Sequence, residues 1–61
     1  MRQNIVRLRK ARKLSKYMLA KQAGIARSYI DAVESGKSDP SVGVLVKIAA
    51  ALGVKPGELL E

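Results

Sequence analysis

Gly24 separates two short stretches whose apolar residues recur at helical spacing, and that arrangement sharply limits the folds open to so short a chain. Before the glycine, residues 16–22 put Leu19 and Ala20 on one face, with Ala23 continuing it. Ser15 stands where a helix N-cap belongs, because its hydroxyl can take up an unpaired first-turn N–H. Gly24 then adopts left-handed backbone at no steric cost, which ends one helix and redirects the chain. After it, residues 27–35 read as a second helix stopped by Gly36. Ala26, Ile30, Val33 and Glu34 share its inward side, and Ser28, Asp31, Ala32 and Ser35 lie opposite. Arg27 and Tyr29 flank that outward face, which is small and polar. A helix of this shape fits a DNA major groove and presents side chains to base edges.

The series Ile5, Leu8-Arg9, Leu14-Ser15, Leu19-Ala20, Ala23-Gly24, Ile30, Val33-Glu34 and Gly36-Lys37 occurs in order along the chain. Pro40-Ser41, Leu45, Lys47-Ile48-Ala49 and Ala51-Leu52-Gly53-Val54 extend it. This series resembles the helix-turn-helix of phage repressors, Cro proteins and Xre-type bacterial regulators, and it spans nearly the whole chain. The resemblance implies an all-α, lambda-repressor-like DNA-binding domain over residues 1–61, with five short helices and the motif at helices 2 and 3. It also implies an ion pair between Arg9 and Glu34, and phosphate contacts from Lys16 and Lys37 on either side of the recognition helix. One departure stands out. The family often carries glycine just before the leucine here numbered 14, and this chain has Lys13. Left-handed backbone there costs a non-glycine residue about 1 kcal/mol or more.

The remaining elements follow from pattern. Helix 1 is expected from about Gln3 to Arg12, with Ile5, Leu8 and Arg9 on its inward stripe. Arg9 on that stripe needs a partner, since an unpaired buried charge costs several kcal/mol. Glu34 is the acid best placed by phase. Residues 36–41 form a loop by composition, and Pro40 disfavours helical backbone at Asp39. Ser41 caps helix 4, expected from Val42 to Leu52, whose core face is Val42, Leu45, Ile48, Ala49 and Leu52. Gly53 supplies its stop. Residues 55–60 read as a short fifth helix with Pro56 in its first turn. Gly43, Val44, Val46 and Ala50 leave an unusual apolar surface on helix 4, and Tyr17 and Met18 do the same on helix 2. A contiguous cluster of that kind marks a partner surface, whereas scattered apolar residues need no explanation.

Charge sharpens the functional reading. Residues 1–30 hold nine Lys and Arg and no acid, whereas the rest hold three against five acids, for a net charge of +7. One polyanion-facing side accounts for this asymmetry. Cysteine and histidine are both absent, which removes disulfides, thiolate metal sites, the usual zinc ligand and the usual general base. The five acids are dispersed and no glycine-rich phosphate loop occurs, so an enzyme is not expected, nor any cofactor or metal. Neither a signal peptide nor a membrane span is expected, and the compartment implied is a reducing cytoplasm. A membrane-surface role for the basic residues 2–16 fails because their apolar face is needed for the core and lacks Trp and Phe.

The site expected is therefore a DNA-binding one. Arg27 is the candidate for reading guanine O6 and N7, with Asp31 one turn later to orient it. Ser28 suits several bases, and Ala32 suits a thymine methyl. Tyr29 is open between phosphate contact, contact at the groove edge and packing, with Ser35 also at the edge. Lys16 and Lys37 hold phosphates. The expected partner is a palindromic double-stranded operator bound by a homodimer. Val44, Val46, Ala50, Leu59 and Leu60 form the candidate dimer or partner surface. The rival is an antitoxin-type module of the same fold, whose protein partner covers that surface.

Overall fold

Each helix begins and ends where local chemistry dictates. The computed structural model describes residues 2–60 and contains α1 (Arg2–Ala11), α2 (Lys16–Ala23), α3 (Arg27–Ser35), α4 (Val42–Leu52) and α5 (Pro56–Leu59). No strand occurs among the described residues. The Ser15 hydroxyl accepts from the Met18 amide at 3.0 Å, and Ser41 does the same for Val44 at 3.3 Å. Gly24 and Gly36 close α2 and α3 with φ of +71° and +83°, and the turn between α2 and α3 is only Gly24, Ile25 and Ala26. Lys13 is the only described non-glycine residue with positive φ, at +56°. It pivots the chain between α1 and α2, so the strain foreseen at that departure is present. Pro56 opens α5, and Glu58 reaches back to accept from the Lys55 backbone N–H at 2.7 Å.

One core joins these helices. Ile5, Leu19, Ile30, Val33, Ile48, Leu52 and Leu59 are fully buried, and Ala20, Leu45 and Ala49 complete the cluster. Leu8, Leu14, Ile25, Tyr29, Val44, Ala51 and Val54 pack against its edge. α2 packs on both α3 and α4, while α1 closes over α3 and α5. Truncating a side chain such as Leu19 or Ile30 to alanine would cost about 2–5 kcal/mol and loosen the angle between α2 and α3.

Several expectations need correction. α1 spans Arg2–Ala11, one residue earlier at each end than the sequence indicated. Val42 is 79% exposed instead of facing the core. It is the first residue of α4, almost a full turn before the first buried one, so no other element reaches it. Ala26 is the exposed N-cap of α3, not part of its inward face. Leu59 lies at 0% exposure in the core, and Val44 is half-buried against it. Neither belongs to an outer surface. Of the five residues assigned to a partner surface, Val46, Ala50 and Leu60 remain exposed.

Candidate nucleic-acid interface

The turn at Gly24 sets the outward side of α3 beside the N-terminal end of α2. Arg27 and Ser28 are exposed in the first turn of α3, Asp31 and Ala32 are half-buried one turn later, and Ser35 is exposed at its end. Tyr29 is half-buried and packs on the core, which favours the packing reading among the three left open for it. A shallow groove is lined by Lys16, Ser28, Asp31, Ala32, Ser35 and Lys37. Three elements thus converge, since Lys16 opens α2 and Lys37 follows the Gly36 stop. Next to it, a second hollow is lined by Arg9, Ser15, Lys16, Tyr17 and Arg27.

Asp31 is paired differently from the expectation. Its carboxylate meets the Lys16 ammonium at 2.9 Å, with both side chains about two-fifths exposed. The hydrogen bond from Lys16 lowers the Asp31 pKa below its ordinary value, and the charges of Lys16 and Arg27 act in the same direction. Arg27 is therefore a neighbour in charge, and Lys16 is the bonded partner.

Two arginines of α1 hold α3 from behind. Arg9 donates Nε to Glu34 Oε2 at 2.8 Å and Nη2 to Glu34 Oε1 at 3.0 Å, and its Nη1 donates to the Leu14 carbonyl at 2.8 Å. Arg2 was not foreseen in any such role. Its Nη1 donates to the Ser35 carbonyl at 3.1 Å, placing a cation at the negative end of the α3 dipole. The guanidinium lies against the Cα of Gly36, where any β-carbon would collide with it. No residue pattern announces a bond to a backbone carbonyl, so only the clustering of positive charge near the N-terminus hinted at this contact.

Among the described residues, no three His, Cys, Asp or Glu side chains assemble as a metal site, and no helix is long and apolar enough to cross a membrane.

The fold and this surface define a class: a five-helix domain whose second and third helices form a helix-turn-helix with a basic, polar outward face. Residues 5–59 match the helix-turn-helix family model, and the chain belongs to that family. Among its relatives, the immunity repressor protein of Bacillus phage phi105 is 40% identical over 53 residues, covering 87% of this chain and 37% of the repressor. The chain thus spans little more than a third of that relative. The restriction-modification controller protein C.AhdI from Aeromonas hydrophila superposes with a TM-score of 0.92 at 40% identity, over 95% of this chain and 88% of the controller. The crystal structure of SinR, the master regulator for biofilm formation, in complex with DNA gives a TM-score of 0.91 at 35% identity, over 97% of this chain and 98% of that one. SinR has also been solved as a complex with SinI.

Proposed function

We propose that the chain binds double-stranded DNA sequence-specifically as the DNA-binding domain of a transcriptional repressor. The observation that carries this reading is the grouping of Ser28, Asp31, Ala32 and Ser35 on one face of α3, between Lys16 and Lys37 in a single groove. α3 enters the major groove, and Arg27 donates two hydrogen bonds to a guanine. Such a contact is worth about 1–3 kcal/mol of discrimination. Ser28 contacts a neighbouring base edge, Ala32 meets a thymine methyl, and Ser35 lies at the groove edge. Lys37 takes a phosphate at one end of the helix. At the other end, Lys16 takes one with help from the amides that open α2. SinR, similar over nearly the whole chain, is solved with DNA, which supports this partner.

Two copies would bind a palindromic operator through a twofold axis. The SinR–SinI complex supports a second reading, in which a protein partner covers the exposed Val42 and Val46 of α4. Selection of bound sequences from a random duplex library separates the two. Enrichment of a palindrome sustains the DNA-binding reading. Failure of any sequence to enrich at low salt removes it.

A further inference from the structure

Among the described residues, Asp31 is the only carboxylate lining a groove otherwise built from cations, small residues and hydroxyls. That position is unfavourable for an acid that must approach phosphate, because a carboxylate accepts hydrogen bonds and donates none. In the free chain the problem is met by Lys16, at 2.9 Å. Yet Lys16, at the start of α2, is also the residue placed to hold a phosphate. The same ammonium is therefore claimed by two anions.

Resting on the DNA-binding reading above, we infer that the Lys16–Asp31 pair is a sequence-dependent latch. On non-cognate DNA, Asp31 keeps Lys16, and the protein forms one phosphate contact fewer. On a cognate site, an exocyclic base amino group in the major groove donates to the Asp31 carboxylate. Cytosine N4 and adenine N6 are the two amino groups displayed there. With its charge solvated by the base, Asp31 releases Lys16 to the backbone. Recognition of one base is thereby converted into an additional electrostatic contact. Asp31 thus lowers non-cognate affinity as well as reading a base.

The geometry suits such an exchange. Both partners are partly exposed, so the pair opens without disturbing the core. Ser28 and Ala32 line the same groove beside Asp31, which puts the carboxylate among the side chains that face the bases. The other cation acting on Asp31 is Arg27, which supplies charge without being its bonded partner.

The test uses the purified chain, a duplex enriched from a random library and a shuffled duplex of equal length. Affinity for each is measured across a series of KCl concentrations, with the number of bound chains counted. The wild type should show a slope on shuffled DNA shallower by about one unit per bound chain than on the enriched duplex. Asp31→Ala should erase that difference and raise affinity for shuffled DNA about fivefold to tenfold at 0.1 M salt. It should also abolish a cytosine or adenine preference at one position per half-site, and the enriched sequence tells which base it was. Asp31→Asn, which keeps an acceptor without the charge, should equalise the slopes and retain a base preference. Equal slopes in the wild type would overturn the latch, because they mean that Lys16 serves carboxylate and phosphate together or neither. A slope difference that survives Asp31→Ala overturns it as well. If nothing enriches, the DNA-binding reading falls and the latch falls with it; enrichment with equal slopes removes the latch alone.

Discussion

Arg9 and Glu34 meet through two parallel hydrogen bonds of 2.8 and 3.0 Å, and the third donor of Arg9 is taken by the Leu14 carbonyl. The side chains are only 10% and 5% exposed. This contact ties α1 to the back of α3 and to the turn before α2, so it fixes how the recognition helix is presented. Breaking the pair from one side strands a buried charge. Glu34→Ala should therefore destabilise the fold by about 3–5 kcal/mol. Replacing both residues with apolar ones, as in Arg9→Met with Glu34→Leu, should cost far less. Denaturant unfolding of the single and double variants checks this, and additive effects below 1 kcal/mol would show that the charges are independent.

At Arg27 and Lys37, outside the Lys16–Asp31 pair, base reading and phosphate holding should separate. Arg27→Ala is expected to flatten preference at one base position per half-site, a loss of about 1–3 kcal/mol in discrimination. Lys37→Ala should weaken every duplex alike and reduce the salt slope by about one unit. Competition among operator variants provides the measurement. Unchanged relative affinities in the Arg27 variant would remove it as a base reader.

The boundaries of α2 and α4 were legible because Ser15, Gly24, Ser41 and Gly53 each carry a local reason for being where they are. The phase of Arg9 pointed to its pairing for a similar reason, since a charge on an apolar stripe demands a partner. Contacts between helices followed no such period. Lys16 and Asp31 sit on different elements, and their 2.9 Å pairing depends on how α2 crosses α3. Arg2 reaches a backbone carbonyl, which no residue identity reveals. Leu59 and Leu60 are adjacent in a segment too short to show periodicity, so only packing could turn one inward and leave the other in solvent. Val42 has roughly the right phase for the core, but it lies beyond the end of it.

Gly24 and Gly36 should respond differently to alanine, although both are left-handed. At Gly24, with φ of +71° and open space around it, Gly24→Ala carries only the backbone cost, about 1–2 kcal/mol. At Gly36 a new β-carbon also meets the Arg2 guanidinium. Arg2 must then leave the Ser35 carbonyl and the α3 C-terminus, adding roughly 0.3–1 kcal/mol. Thermal unfolding of Gly36→Ala alone and with Arg2→Ala tests this coupling. If the two substitutions add, the contact is energetically silent.

The Lys16–Asp31 pair has a signature of its own. Because the folded-state pKa of Asp31 is lowered, the pair supports the fold above the ordinary carboxylate value. That support is lost as pH falls through the lowered value. A carboxyl-detected NMR titration should place Asp31 below the ordinary aspartate range in the wild type, and Lys16→Gln should bring it back up. A midpoint that does not move in the variant would mean that the two groups are apart in solution.

The last prediction concerns assembly: the chain should be monomeric when free and bind a palindromic operator as a pair. One recognition helix contacts too few base pairs for useful specificity, whereas two related by a twofold axis read half-sites about 34 Å apart. The Cα atoms extend 23 Å in their longest directions, and side chains add roughly 3 Å at each end. That breadth falls short of the half-site spacing, so the two copies touch only by leaning toward each other on the duplex, and such a contact is too small for a stable free dimer. Val46, Ala50 and Leu60 are the exposed apolar residues available in the acidic half, with Val42 beside them on α4. Placement on one duplex raises the effective concentration enough to pair the subunits. Val46→Asp should then weaken binding to the full palindrome and leave a single half-site unaffected. Sedimentation with each duplex decides the matter, and one chain per palindrome at saturating protein would defeat the dimer.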